Sequence, residues 1–525
     1  MKKTLNKPVD LGKREHLKFM AGSALASTTV LLGCIGPPPR HAPPRLVPSS
    51  DLHANQPRNF NALPIAPLHT GTLSQGVTTF DLALSASTVP YREGPHTNTY
   101  GYNGAGFGGP TLVMKKGSRA RMQVTNQLAE PTTTHWHGLL VPGPVDGGPH
   151  QVVKAGATWL TDAFTVKNNA ATYWYHPHMH EMTQKQLTLG AVGLIIVQDE
   201  AEAALELPRT YGVDDIPLVL TSRRFTKVQG VANQFQYTDT AYGDHMLSNG
   251  VMNAQVGLPQ QLVRLRLLNA EVERDYNLGL SDGRSFYVVA SDGGLLNAPV
   301  AVTRLIMSPG ERYEILLDLS GDAVGNTLDL NAYNGPDAGL SFGFAGYEPD
   351  QAGEFGSLLN YKTFSVLNIK VVASTDKPVT RMPSCWVSHV YPNTSQATNA
   401  RALTITARGP GDPFTFNNVG FNMDRINQEV KLGSTESWTI HAGNIFGHSF
   451  HIHGVQFKLV ARNASAAAVK NYEQGWKDTF HIPLGESVTF VAKFDEAADT
   501  RYPFMYHCHM VNHEDAGLMG QFVVQ

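Results

Sequence analysis

The sequence predicts an all-β protein of three related domains, and three observations predict it. The composition is turn-rich, with 49 glycines and 32 prolines against a charged share of only 16%, which suits short strands better than helical bundles. From about residue 70 onward, runs such as Thr111-Leu112-Val113, Leu194-Ile195-Ile196-Val197 and Leu218-Val219-Leu220 alternate with Gly, Pro and Asn turns, as in β-sandwiches or barrels. The third observation is a weak internal echo. Residues 113–126 (VMKKGSRARMQVTN) and 430–441 (VKLGSTESWTIH) both read strand, Gly turn, strand, and Ser308-Pro309-Gly310-Glu311-Arg312 and Pro483-Leu484-Gly485-Glu486 offer similar turns. A length of 525 residues allows about three domains, each burying its own core.

In chain order, residues 1–34 read as an export signal. Lys2, Lys3, Lys13, Arg14 and Lys18 precede an apolar stretch over 19–32, shorter than the roughly 20 residues that span a bilayer. Gly12-Lys13-Arg14-Glu15-His16-Leu17-Lys18 resembles a twin-arginine motif with Lys13 in place of the first arginine. Leu31-Leu32-Gly33-Cys34 resembles a bacterial lipobox, which would anchor the mature chain to a membrane through a lipid on Cys34. The alternative is an ordinary cleaved signal. Either way the mature chain is expected in the periplasm or otherwise outside the cytoplasm. Residues 35–74 are Pro-rich and read as a tether. Domains are then expected over 75–200, 201–374 and 375–525. A net charge of −3, with no basic run beyond the N-terminus long enough to suggest a nucleic-acid surface, argues against nucleic acid as a partner; the chain is expected to be a monomer. Cys34, Cys385 and Cys508 are the three cysteines. Cys385 has no obvious partner, so a disulfide scaffold is not expected.

The chemistry lies in the histidines. About half of the 21 fall in four short clusters: His135-Trp136-His137, His176-Pro177-His178, His448-Ser449-Phe450-His451-Ile452-His453, and His507-Cys508-His509 with His513. Each contains a His-x-His pair, and on a strand residues two apart share a face. A lone pair of this kind is more often two satisfied core histidines, and His180 is read that way or as a neighbour of the site. Four pairs present eight imidazoles, more than one metal ion can use, so a cluster of metals is implied. Cys508 should point away from the face of His507 and His509. His448 stands an odd number of residues from His451 and His453, so it too should face away from them. Cys508, His448 and His513 could then form a two-His-one-Cys site, the ligand set of blue copper. Zinc is the rival metal, but structural zinc usually takes four ligands, and no Cys-x-x-Cys is present.

These segments resemble the copper motifs of multicopper oxidases, especially bacterial laccases and periplasmic copper-efflux oxidases. The motifs run in family order: HWHG, WYHPHMH, HSFHIHG and HCHMVNHEDAGLM. The resemblance implies three cupredoxin-like Greek-key β-barrels and four copper ions. It places type 1 copper on His448, Cys508 and His513, and type 2 copper on His135 and His451. The type 3 pair falls to His137, His176, His178, His453, His507 and His509. It implies a cycle in which a small reductant gives up single electrons through Cys508 and O2 is reduced to water. Asp146, in VDGGP, matches a carboxylate beside the trinuclear site, and Glu514 matches a proton-relay glutamate; the alternative for both is to orient a ligand histidine. Trp476-Lys477-Asp478-Thr479 matches a family segment near the type 1 site, with no chemistry assigned to it.

Two departures narrow the class. Five residues after His513, where an axial methionine is common, stands Leu518, and Met519 comes one position late. The type 1 potential should rise because Cu(II) loses a donor. The methionine-rich cover of copper-efflux oxidases is also missing: Asn444, Ile445 and Phe446 precede the third motif, and residues 375–400 hold only Met382. The expected reductant is therefore a phenol or other organic molecule entering at the His513 edge. The alternative is a metal oxidase of Cu(I), Fe(II) or Mn(II) in periplasmic copper tolerance.

Overall fold

A computed structural model describes residues 59–91, 96–227, 235–238, 240–336, 340, 344–347, 355–407, 413–443 and 446–525. The export signal, Cys34, Asn444 and Ile445 lie outside these residues. Among them six of the seven sheets form three packed pairs, and the seventh is a hairpin of Phe225–Lys227 with Phe235–Tyr237. In the first pair, one sheet runs Leu68–His69, Thr111–Lys115, Gly193–Gln198, Ala171–His176, His135–His137, and the other is built around Val77–Val89 and Arg119–Asn126. The second pair joins a seven-stranded sheet centred on Leu262–Asn269 to a six-stranded one that holds Thr327–Tyr333 and Thr363–Val372. In the third, one sheet runs Gln428–Val430, Met519–Val524, Phe504–Cys508, His448–Ile452, Thr479–Ile482; the other centres on Thr435–Ala442 and Ser487–Lys493. Asn61–Ala62 pairs with Ala254–Pro259, and Leu68–His69 with Thr111–Lys115, so the end of the Pro-rich stretch is stitched into the sheets.

Each pair closes over its own apolar core, exemplified by Leu82, Met122 and Ile195, by Leu218, Leu265 and Ile369, and by Trp438, Phe450 and Phe490. Strands facing solvent alternate: Arg119–Asn126 and Thr435–Ala442 bury every second residue, as a half-covered strand must. Ala171–His176, His448–Ile452 and Phe504–Cys508 are buried at every position. These doubly covered strands carry the histidine motifs.

The expected Greek-key β-barrels are not formed. No sheet closes among the described residues, and each runs between two edge strands, such as Gln428–Val430 and Thr479–Ile482. The units are cupredoxin-like open sandwiches. A barrel and a sandwich ask for the same inward-outward alternation, so the strand pattern could not distinguish them. No described helix is long and apolar enough to cross a membrane.

Candidate metal centre

The Cys508 site is built by two neighbouring strands and the turn that follows. In the ladder His451 stands opposite His507, and Phe450 opposite Cys508. Residues directly opposite share a face, so the imidazoles go to one side and the thiol to the other. The short helix Val511–Asp515 then returns His513 to the thiol side. Cys508 Sγ lies 3.6 Å from His448 Nδ1 and 3.7 Å from His513 Nδ1. Burial pushes the thiol up and pushes His513 down to about 4, leaving a protonated thiol beside bare imidazole nitrogens until a metal displaces the proton. The Leu518 carbonyl accepts from the Cys508 amide, whereas Met519 pairs with His507 on the opposite face. Met382 packs against the cluster of Leu207, Leu295 and Leu316 in the second sheet pair. Phe414 covers the site, its ring 4.9 Å from His448 and 4.6 Å from His513. His513 is only 6% exposed.

On the other face, eight histidines from the first and third sheet pairs meet. His137 stacks on His451 at 3.7 Å, and His135 on His453 at 3.8 Å. His507 Nε2 lies 3.2 Å from His178 Nε2 and 3.3 Å from His453 Nε2. Ligand atoms of His135, His137 and His176 also lie within 4.8 Å of one another, as do those of His135, His451 and His453. The pairs straddle strand ends more than sequence spacing suggests. His135–His137 is wholly strand, but Ala171–His176, His448–Ile452 and Phe504–Cys508 each stop before their second histidine. The rings converge nonetheless. Trp174, wholly buried, stacks on His176 at 4.1 Å and packs against His137 and His509. His180 faces Phe421, outside the cluster.

A metal fits these atoms. His135 Nε2, His137 Nδ1, His176 Nε2, His451 Nε2 and both nitrogens of His509 are buried with no hydrogen-bond partner. An unpaired buried polar atom costs about 1–3 kcal/mol, so so many in one place imply a shared partner. Burial, reinforced by neighbouring imidazoles, pushes His137, His176, His178, His451 and His509 well down and His453 to about 3. Their lone pairs are therefore bare at neutral pH, and imidazole with thiolate suits copper.

Outer partners fix the rings. Asp146 ends the Gly143–Asp146 helix, where Gly147 takes φ +81° and a Cβ would collide with the Thr134 carbonyl. Its Oδ2 accepts from His453 Nδ1 at 2.7 Å and its backbone carbonyl accepts from His135 Nδ1 at 2.9 Å. Burial alone would raise the Asp146 carboxyl, but His453 and His135 hold it well below the usual carboxylate range. Glu514 lies 3.3 Å from His178 Nδ1 and 3.1 Å from His507 Nδ1. Against the opposing effect of burial, these rings lower it to about 2. Sequence reasoning missed a third anchor. Asp478 and Thr479 contact His137 and His451 in the cluster, so this segment serves the histidine face and not the Cys508 face. Arg312, from the second sheet pair, clamps Asp478. Its turn was visible in the sequence only as a repeated strand connection.

The comparisons agree with this geometry. Residues 83–202 and 393–525 each match a sequence model described as multicopper oxidase. The chain is 32% identical over 455 residues to a multicopper oxidase of Staphylococcus haemolyticus, covering 86% of this chain and 89% of that protein. It belongs to the multicopper oxidase family. This multicopper oxidase is laccase-like and reduces O2, and its clustered side chains form copper-binding sites. A structural relative is the laccase-like CueO of the lignin-degrading bacterium Ochrobactrum sp., with oxidase activity towards lignin model compounds and lignosulfonate. It is 34% identical, with a TM-score of 0.76, covering 88% of this chain and 100% of that one. A laccase of Pediococcus acidilactici matches at 28% identity and a TM-score of 0.75, over 89% and 94% of the two chains. The chain is also 32% identical to the cell division protein FtsP of Photorhabdus laumondii, over 88% of this chain and 92% of that one.

Proposed function

We propose that the protein oxidises phenolic or other organic reductants with four copper ions. His448, Cys508 and His513 hold type 1; His135 and His451 hold type 2; His137, His176, His178, His453, His507 and His509 hold the type 3 pair. The observation that carries this is the two-faced ladder, with Cys508 opposite Phe450 on one side and His507 opposite His451 on the other. Copper held by His448, Cys508 and His513 would supply one-electron redox chemistry, and copper held by the cluster histidines would supply the four-electron reduction of O2. The strand's role is to place the entry thiolate one covalent residue from His507 and His509. Leu518, five residues after His513, carries no donor atom, which would favour a high potential for a copper held there. Asp146 and Glu514 orient four ligand rings between them, and Glu514, ionised and wholly buried, is placed to relay protons to the cluster.

Phe414 at the His513 edge and Leu518 in place of a methionine five residues after His513 favour an organic reductant over Cu(I). The basic N-terminus followed by an apolar stretch supports work outside the cytoplasm, and the core and motif spacing support three domains over 75–200, 201–374 and 375–525. Equal identity to the cell division protein FtsP raises a second reading, a role in cell division. The complete set of ten histidines and Cys508, with so many bare buried nitrogens, favours catalysis. Copper analysis with absorption spectra, followed by rates on a phenol and on Cu(I) with O2 uptake recorded, tests the reading. A copper-loaded protein with a blue band and faster phenol turnover is expected. A loaded protein without that band refutes the site, and a preference for Cu(I) refutes the substrate class.

A further inference from the structure

Ligand atoms of His137, His451 and Asp478 also lie within 4.8 Å of one another, wholly buried, with the same spacing as the copper-binding groups. Asp478 lies against the two rings on the side of His137 Nε2 and His451 Nδ1, a further carboxylate donor at the edge of the cluster. We propose that Arg312 keeps Asp478 an outer partner of the cluster, so that the carboxylate orients His137 and His451 and does not bind metal itself. The inference rests on the copper assignment above.

The clamp is saturated on both sides. A guanidinium has five N–H donors, and all five of Arg312's are engaged. NH1 donates to Asp478 Oδ1 at 2.6 Å and to the Gly310 carbonyl at 3.0 Å. NH2 donates to Asp478 Oδ2 at 2.6 Å and to the Asp292 carbonyl at 3.0 Å, and Nε donates to the Thr172 carbonyl at 3.2 Å. Both carboxylate oxygens are therefore capped. Asp292 adds to the hold, accepting from the amides of Asp478 and Thr479 at 3.2 Å.

Held in this way, Asp478 selects a tautomer at each ring. His137 Nε2–H donates to its Oδ1 at 3.0 Å, leaving Nδ1 bare. His451 Nδ1–H donates to its backbone carbonyl at 2.8 Å, leaving Nε2 bare. The tautomer at a ligand histidine is set by the hydrogen bond its other nitrogen makes. Arg312 acts through Asp478 and is a positioning residue. The second sheet pair, which supplies no candidate ligand, thereby sets the geometry of the cluster. A lysine has no planar fork and cannot reproduce this arrangement.

The test uses the copper-loaded full chain and reads paramagnetic resonance of type 2 copper together with copper retention against a chelator. Arg312→Met should leave the blue band unchanged, alter the type 2 hyperfine pattern, and weaken cluster copper retention about 10- to 100-fold. The double variant Arg312→Met with Asp478→Asn removes the freed carboxylate while keeping an acceptor for His137, and should return the spectrum toward that of the unaltered protein. Arg312→Lys carries the same readout if the methionine variant does not accumulate. A fully loaded Arg312 variant with an unaltered type 2 spectrum overturns the proposal. So does a double variant no closer to the original than the single one. Failure of the unaltered protein to bind copper would instead overturn the copper assignment.

Discussion

The two faces of the Phe504–Cys508 strand carry sites of different construction. The Cys508 site is assembled by two hydrogen-bonded neighbours in one sheet, a five-residue helix and one covering phenylalanine. The cluster draws its rings from the first and third sheet pairs and its outermost clamp, Arg312, from the second. The ligands of the Cys508 site come from the third sheet pair alone, although the helix that carries His513 also bonds to Val272 and Glu273 of the second pair; those of the cluster come from two pairs. Local ligands can be changed one at a time, whereas the cluster is sensitive to residues that never touch it.

The largest effect expected is that of Cys508→Ser. It should abolish the blue band and turnover of a phenol, while type 2 resonance persists because the cluster rings lie on the other face. Blue absorption in that variant would remove Cys508 from the site. Glu514→Gln should lower turnover about 10- to 100-fold with the rate of blue-band bleaching by phenol unchanged, as measured by rapid mixing. Equal loss in both would make Glu514 a general structural residue.

Acid should strike the cluster side hardest. His453 titrates near 3 in the fold against an ordinary 6.5, and Glu514 near 2 against 4.5. Between the folded and ordinary values the unfolded chain binds more protons, so stability falls as pH falls. The copper-free protein should therefore lose Tm progressively below pH 6.5, with the Glu514 share lost from 4.5 down toward 2. A flat profile over that range would contradict the buried neutral imidazoles.

On the other face the effects are smaller. Phe414→Ala should raise KM for a phenol about 5-fold, the equivalent of ~1 kcal/mol for a lost aromatic contact, with little change for an inorganic outer-sphere reductant. Leu518→Met should lower the type 1 potential; an unchanged or higher potential would show that Leu518 does not occupy the axial position.

Most of the site was legible because strand alternation is a local rule. His507, Cys508 and His509 had to face opposite ways, and the odd spacing of His448 from His451 placed it beside the thiol. What stayed hidden depends on packing between sheet pairs. Nothing in Ser308-Pro309-Gly310-Glu311-Arg312 shows that its arginine reaches Asp478, more than 150 residues away. Sheet closure was equally hidden, since one alternation serves barrel and sandwich alike. The strand ends at His176 and Cys508 were blurred for the same reason, each histidine pair running past its ladder into the cluster.

The central claim is that one strand joins electron entry to the cluster, and an anaerobic reductive titration of the copper-loaded protein with a phenol tests it most directly. Uptake of four electrons per chain, with the blue band bleaching and O2 then reduced to water without free peroxide, is the predicted result. Uptake of a single electron, or peroxide accumulating on readmission of O2, would contradict it.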